Sequence, residues 1–335
     1  MKTKCFSSIT QVLHSRTLSF ILLSLSLLLG MSISHSEQMD NTILIFSPRG
    51  NNFQDTIKGL SDDLAGDAII ITKWMNNTTE NDSIAQSIKK INPRLLVFLG
   101  NTPLQAYTRY QKQQTNNNFT PAIALATLHL DRQLKYLKNT IGIRYEIPAV
   151  TSLVQLRTIV KAPIKRVGVI YRQWMNDFIA QNKAYCKQED IELIAIKMPN
   201  STSINKLSYQ LKHLLHKNID ALWVVNDNGL LHARFIQNVW VPLLKNFNKP
   251  VVVGIQKLTK TNLNFGIFSV EADHYALGVQ GAEMIAEIMA NGWKIDTHKV
   301  EPPVSINNIL NVKLSNKKNI LLNQQKLEQL DTLIQ

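Results

Sequence analysis

Beyond residue 40 the chain alternates short aliphatic or β-branched runs with longer amphipathic stretches. Several of the short runs are apolar throughout, which is typical of strands covered on both faces in a parallel sheet. The predicted strands span residues 42–46, 68–72, 95–99, 122–125, 167–171, 192–197, 221–225 and 251–255. The predicted helices span residues 54–64, 84–90, 103–110, 150–160, 176–188, 204–216, 230–247 and 274–291. Strands that alternate with helices in this way predict an α/β fold with doubly wound sheets.

The predicted strands form two sets, separated by an extended stretch at residues 141–150. Two more extended stretches follow the second set. We expect two parallel-sheet lobes joined by three crossings, with hinges near residues 143–148, 268–273 and 304–310. The first lobe is predicted to comprise residues 37–145 and 272–303, and the second residues 146–271 and 304–335. Ligands bind beyond the carboxyl ends of strands in such sheets, so the loops there predict a cleft between the lobes.

The first residues have a different character. Lys2, Lys4 and Arg16 precede an apolar run at residues 18–31, and small residues follow at Ser32, Ser34 and Ser36. This order predicts a secretory signal over residues 1–36. A retained membrane anchor is the alternative, but the run is shorter than the roughly 18–20 residues that span a bilayer. No Cys follows the run directly, which argues against a lipoprotein. We therefore expect a periplasmic protein.

Composition excludes several other classes. The formal net charge is +13, from 37 Lys and Arg against 24 Asp and Glu. These basic residues are scattered and form no block with interleaved aromatics, so a solvated basic surface is favoured over a nucleic-acid site. Cys5 lies in the signal, which leaves Cys186 without an internal disulfide partner.

Several later segments carry a resemblance in their order and spacing. They are IKRVGVIY from residue 164, KNIDALWVVNDN from 217, NKPVVVGIQKL from 248, FGIFSVEADHYALGVQGAEMIAEIMANG from 265 and EPPVSINNILNVKLSNKKNI from 301. They resemble the ABC-transporter substrate-binding family that contains periplasmic tryptophan- and tyrosine-type binding proteins. The resemblance implies a type I periplasmic-binding-protein clamshell that binds a small-molecule solute and serves the inner-membrane permease of an ABC importer. It also implies a monomer, with no catalysis and no cofactor.

The chain departs from that family at several turns. The turn after the third strand reads Gly-Asn-Thr-Pro at residues 100–103, where the family often has Gly-Thr-Pro. The family's Asp-Pro turn is missing after the fourth strand. Its Asn-Pro turn after VGVIY is replaced by RQWMN at residues 172–176. The chain therefore resembles a divergent branch, and the identity of its solute stays open.

Candidate ligand contacts in the first lobe are Ser47, Arg49, Asn101 and Thr102. Thr102 and Pro103 read as an N-cap followed by proline at the first helical position, and such a helix start can receive a carboxylate or another anion. Ser47 and Arg49 form a similar turn after the first strand, with a cation added. The alternative is that both turns simply begin helices.

Candidate contacts in the second lobe are Trp174 and Asp227. Asp227 lies in an Asn-Asp-Asn-Gly turn and is predicted to take an ammonium or a sugar hydroxyl, although such a turn also serves as an N-cap. Trp174 could stack on a ligand ring or pack on the neighbouring helix. Together with the first-lobe residues, they predict a zwitterionic, amino-acid-like solute, and Trp174 would suit an aromatic one.

Motifs for other chemistry are absent from the sequence. His213 and His216 lie three residues apart but have no carboxylate or Cys at ligand spacing, so no metal is expected. His129 and Asp131 could act as a base and its orienting group, but no GxSxG nucleophile accompanies them. There is no phosphate-binding GxxxxGK[ST], no GxGxxG after a strand and no CxxC. A periplasmic sensor or accessory subunit that docks onto a membrane signalling partner remains the alternative function.

We predict that the exported protein begins between His35 and Glu37, because the small residues that a signal peptidase requires end there. N-terminal sequencing of the protein from a periplasmic extract checks this. Recovery of an intact residue 1–31 segment in the membrane fraction would show that the segment is an anchor.

Overall fold

Strands and helices alternate throughout the computed structural model, which describes residues 41–76, 81–260, 262–296 and 299–335. The predicted signal at residues 1–36 lies outside these residues. The strands are β1 Thr42–Pro48, β2 Ile69–Met75, β3 Leu95–Leu99, β4 Ala122–Thr127, β5 Thr140–Arg144, β6 Arg166–Arg172, β7 Glu192–Met198, β8 Ala221–Val224, β9 Val251–Val253, β10 Phe268–Ala272, β11 Val300–Glu301, β12 Ile306–Asn311 and β13 Thr332–Ile334.

The α-helices lie between these strands and after them. They are α1 Asn51–Asp63, α2 Asn81–Ile91, α3 Asn101–Gln113, α4 Leu130–Leu134, α5 Ala149–Ile159, α6 Asn176–Gln188, α7 Ile204–Leu215, α8 Ala233–Phe235, α9 Val241–Leu244, α10 His274–Ala290, α11 Val312–Lys317 and α12 Gln324–Leu327. Short 3₁₀ turns at Gln173–Met175 and Gln256–Thr259 and a π-helical turn at Ile236–Trp240 complete the elements.

The strands form two sheets. Among the described residues, the first sheet has six parallel strands in the order β11-β5-β4-β3-β1-β2. The second has seven strands in the order β13-β12-β10-β9-β8-β6-β7, in which the β10–β12 pair is antiparallel and the other pairs are parallel. Each sheet is the centre of its own lobe.

The chain passes between the two sheets after β5, after β10 and after β11. It runs from β5 into α5, which packs on the second sheet, and from β10 into α10, which packs on the first. From β11 it returns directly to β12. The predicted α/β fold of two doubly wound lobes joined by three crossings is therefore confirmed. The exact lobe boundaries stay predictions.

Burial explains why the apolar runs form central strands. Every residue of β3 is buried, and β1 is buried from Thr42 to Ser47, because helices cover both faces of the sheet. The edge strands β2 and β7 each pair with one neighbour and are partly exposed. Their exposed residues include Lys73 on β2 and Lys197 on β7.

Four segments differ from the sequence-based expectation. Residues 140–144 and much of the other two expected crossings are strands of the sheets. In β5, a Cβ added to Gly142 would lie 2.1 Å from the Ala124 carbonyl oxygen, where β4 has a register shift. Glycine is therefore required at this bulge. Because glycine is unfavourable inside strands, the sequence did not predict a strand here. The helix expected at residues 230–247 is instead short helical pieces around the π-turn.

Two glycines hold α10 against α1. A Cβ on Gly278 would lie 2.1 Å from the Thr56 carbonyl oxygen, and a Cβ on Gly59 would lie 2.1 Å from the Tyr275 carbonyl oxygen. The two helix backbones thus touch where neither helix has a side chain. This contact joins the helix that follows the second crossing to the beginning of the first lobe.

We expect Gly278→Ala to lower the free energy of unfolding by about 1–3 kcal/mol or more, because the added methyl group must push the two helix backbones apart. Chemical denaturation measures the change. Ala286→Val is the control, since Ala286 is exposed on the same helix and only the difference in helix propensity applies there. Equal stability of the two variants would show that the glycine contact is dispensable.

Candidate functional site

A cavity of about 660 Å³ opens between the carboxyl ends of the two sheets. Its volume is within the roughly 300–1,000 Å³ typical of small-molecule sites. The first lobe supplies polar residues from α3, α4 and the loop before α4, and the second lobe supplies the turns after β6, β7 and β8. The lining residues are Asn101, Gln105, Thr108, Arg109, Leu128, His129, Arg132, Gln133, Tyr136, Arg172, Trp174, Asn200, Asn226, Asp227 and Asn228.

On the first-lobe side, Asn101 fixes the loop that follows β4. Its Nδ2 donates to the Leu128 carbonyl oxygen at 3.1 Å, and its Oδ1 accepts from the Leu128 N–H at 3.0 Å. Gln133 Nε2 donates to the same carbonyl oxygen at 2.8 Å. The amide of Asn101 is therefore used in shaping the cavity wall.

On the second-lobe side, Asp227 forms a two-point ion pair with Arg172. Arg172 Nε donates to Asp227 Oδ2 at 2.6 Å, and Nη2 donates to Oδ1 at 2.5 Å. Arg172 Nη1 donates to the Asn200 carbonyl oxygen at 2.9 Å. Asp227 is 2% exposed, so this pairing offsets the cost of burying its charge.

Gly229 completes the ion pair. Its N–H donates to Asp227 Oδ1 at 2.9 Å. A Cβ at this position would lie 2.4 Å from Arg172 Cζ, so the backbone of the turn rests directly on the guanidinium group. The Asn-Asp-Asn-Gly turn thus needs its glycine because of the arginine at the end of β6.

Trp174 lies where the two lobes meet. The edge of its ring meets the His129 ring at a centroid distance of 4.5 Å and an interplanar angle of 84°. The Cζ atoms of Arg132 and Arg172 lie 4.9 and 5.6 Å from the centroid of the indole ring. The indole therefore contacts a guanidinium group from each lobe, an arrangement favoured by the ring quadrupole.

His129 connects three parts of the molecule. Its Nδ1 lies 2.9 Å from Glu146 Oε1 in the first crossing, and its Nε2 lies 3.1 Å from the Asn226 carbonyl oxygen in the second lobe. Its backbone N–H also donates to Glu146 Oε1, at 2.5 Å, and its φ of 56° is left-handed. Both ring nitrogens face acceptors, which suits an imidazolium ion.

Electrostatics agree with that charge state. Burial opposes the charged ring, but the hydrogen bond and charge of Glu146, the Asn226 carbonyl and the charge of Asp227 outweigh burial and raise the pKa of His129. A protonated ring donates to the first crossing and to the second lobe at once. His129 was considered in the sequence only as a catalytic base, whereas here it bridges the lobes.

A second cavity, of about 380 Å³, lies beside the crossings and shares Asn101 and Leu128 with the first. The starts of α1, α3 and α10 line it, together with Tyr145. Tyr145 Oη lies 3.2 Å from His274 Nε2. Burial lowers the pKa of His274, despite the opposing charges of Asp55 and Asp273.

The structure brings three of the six candidate residues to one cavity, namely Asn101, Trp174 and Asp227. Thr102 follows Asn101 at the start of α3 but is outside the cavity lining. Ser47 is fully buried and its hydroxyl donates to the Pro48 carbonyl oxygen at 2.9 Å. Arg49 is exposed, with its Cζ 5.5 Å from the centroid of the Trp74 ring. Contact of any of them with a ligand stays a prediction.

Sequence reasoning missed the arginines of the site. Arg172 directly follows the strand VGVIY, and its position opposite Asp227 became visible only with β6 and β8 adjacent. Arg132 and Arg109 lie on helices, and the sequence did not indicate which face of each helix would line the cavity. In the part of the chain that the structure describes, no group of three or more His, Cys, Asp or Glu could hold a metal ion. No described helix has the length and hydrophobicity of a membrane span.

A family comparison decides the classification. The sequence profile described as "ABC transporter substrate binding protein" matches residues 49–333. The chain belongs to this family. No curated protein is significantly similar to it in sequence. The family places this substrate-binding protein among proteins that bind small-molecule solutes for ABC transporters.

Solved structures share the fold at low sequence identity. An ABC domain from Streptococcus pneumoniae in complex with L-Trp is 20% identical, with a TM-score of 0.60 over 88% of this chain and 100% of that one. A substrate binding protein with adhesive properties from Clostridium difficile, ligand-free and open, is 17% identical, with a TM-score of 0.62 over 84% and 95%. A periplasmic ribose ABC transporter protein from Conexibacter woesei is 12% identical, with a TM-score of 0.51 over 83% and 94%.

The His129 bridge predicts a pH dependence. Because the folded protein raises the pKa of His129, the stabilisation is complete below the ordinary histidine value of about 6.5 and is lost as pH rises through the raised value. The melting temperature should therefore fall over that window. His129→Asn, which tolerates the left-handed backbone but does not titrate, should flatten the profile.

Differential scanning fluorimetry over a pH series measures this profile. His213→Asn is the control, since His213 is exposed on α7 and should leave the wild-type profile unchanged. An unchanged profile in His129→Asn would show that the bridge does not respond to pH.

Proposed function

We propose that this substrate-binding protein is exported to the periplasm, captures a small-molecule solute between its lobes and delivers it to the inner-membrane permease of an ABC importer. It acts as a monomeric binding protein and not as an enzyme. The observation that carries the proposal is the cavity of about 660 Å³ lined by both lobes in a chain of this family.

The division of the cavity between the lobes supports capture by closure. Each lobe supplies part of the wall, so a solute contacts both walls at once only when the lobes are together. A solute shifts an equilibrium between open and closed forms by its difference in affinity for the two. The His129–Asn226 and Trp174–Arg132 contacts belong to the closed arrangement and would separate on opening.

The crossings provide the hinge for this motion. They are short connections between β5 and α5, between β10 and α10, and between β11 and β12. Glu146 in the first of them accepts from His129. Movement at this hinge is therefore linked to the contact that joins the lobes.

A thermal-shift screen of amino acids, sugars, nucleosides and organic acids on the mature protein tests capture. A solute that binds only the folded state stabilises it by about 2.7 kcal/mol at a hundredfold excess over Kd. We expect at least one solute to raise the melting temperature. The amino-acid set begins with L-Trp, since the relative from Streptococcus pneumoniae was solved with it.

We expect Trp174→Leu to weaken binding of the best solute about tenfold or more, because the variant loses the aromatic wall shared by the lobes. Isothermal titration calorimetry measures the change. Tyr209→Leu is the matched control, since Tyr209 is an exposed aromatic on α7 outside the cavity lining. A screen without any stabilising solute, or equal effects of the two substitutions, would contradict capture in this cavity.

Delivery to an importer has its own test. Deletion of the gene should abolish high-affinity uptake of the identified solute, and the wild-type gene should restore uptake. Normal uptake after deletion, combined with retained solute binding, would favour the sensor function instead.

A further inference from the structure

We infer that the interlobe cavity selects small organic anions, meaning solutes with a net negative charge from a carboxylate or phosphate group, and that Arg132 is the residue that selects them. The inference rests on the proposed function, because it names the chemical class of the captured solute. It replaces the zwitterionic solute expected from the sequence.

The first argument is the charge of the cavity lining. Among the described lining residues, the guanidinium groups of Arg132 and Arg172 stand beside one carboxylate, that of Asp227, so the charge of Arg132 is in excess. Apart from Arg109 and His129, the other described lining residues are uncharged. Walls of one charge sign raise the local concentration of oppositely charged solutes.

The second argument concerns the carboxylate that was expected to hold an ammonium group. Both oxygens of Asp227 accept from Arg172, and Oδ1 also accepts from the Gly229 N–H. A solute ammonium would have to displace a two-point pair with a guanidinium group, and Arg172 would then lose its partner. Removing one partner of a buried ion pair is costly, so the cavity disfavours cations.

The third argument is the position of Arg132. Its Cζ atom lies 4.9 Å from the centroid of the Trp174 ring, and no carboxylate of the described residues forms an ion pair with it. A cation–π contact requires no hydrogen bond from the guanidinium N–H groups, and these donors suit two-point recognition of a carboxylate or phosphate. The positive charge of Arg132 in the first lobe is thus available to pair with an anionic solute.

The contact between Arg132 and Trp174 also connects charge to closure. Arg132 comes from the first lobe, whereas Trp174 and Arg172 come from the second, so closing the lobes brings a guanidinium group from each lobe to one indole ring. An anion beside them offsets their mutual repulsion. Anionic solutes should therefore favour the closed form more than their neutral analogues do.

The test compares matched acids and neutral analogues by calorimetry on the mature protein. The pairs are succinate and succinamide, 3-phenylpropionate and its amide, and glycerol 3-phosphate and glycerol. We expect at least one acid to bind about tenfold or more tightly than its neutral analogue, since a hydrogen bond to a charged group contributes about 1.5–3 kcal/mol. Its affinity should fall as salt is added. Comparison of the glycerol 3-phosphate pair with the two carboxylate pairs shows whether the cavity prefers a phosphate or a carboxylate group.

The matched substitution is Arg132→Met, which keeps an unbranched apolar stem and removes the charged guanidinium group. We expect it to abolish the preference for the acid, and Arg132→Lys to restore part of it. Arg157→Met is the control, because Arg157 pairs with Glu189 on an exposed surface and should leave the preference unchanged.

Three outcomes would overturn the inference and leave the proposed function standing. Equal affinity for acid and neutral analogue would do so, and so would an acid preference that survives Arg132→Met. In both cases a solute still binds, and the proposed function stands. Binding by neutral or cationic solutes of the wider screen, with no acid bound, would also leave the function standing. If no solute of any charge binds, the inference and the capture function both fail.

Discussion

A carboxylate buried at the end of β8 requires a cation, and Arg172 at the end of the adjacent β6 supplies it. Much of the second-lobe wall depends on this pair. It demands glycine at position 229, directs Nη1 to the backbone at Asn200 and places a guanidinium group beside Trp174. A single electrostatic requirement therefore organises the loops after three different strands.

The first lobe meets this wall through one loop. The side chain of Asn101 holds the backbone of the loop after β4. This loop presents His129, in a left-handed conformation, toward the second lobe. The strain of that conformation is offset by acceptors at the backbone N–H and at both ring nitrogens. Hydrophobic burial builds each lobe separately, whereas polar contacts decide how the lobes meet.

The sequence predicted the lobes better than it predicted the site. Strands such as Leu95–Leu99 are covered on both faces and are therefore apolar at every position. A run of apolar residues is visible in the sequence, so such strands could be predicted. The Asp227 turn was also recognisable, since its residue types serve a turn after a strand. The cation beside it was not, because Arg172 and Asp227 meet only through the order of strands in the sheet. Likewise, the sequence predicted that Ser47 follows the first strand, whereas β1 extends through it and covers it on both faces.

The glycine contact between α1 and α10 has a consequence for biogenesis. The first lobe remains incomplete until the chain has been synthesised past residue 301, because α10 and β11 follow most of the second lobe. Pairing of segments so distant in sequence makes folding slow. In the export that we propose, a precursor that folds slowly stays unfolded for longer, and an unfolded chain is the form that passes through a narrow secretion channel.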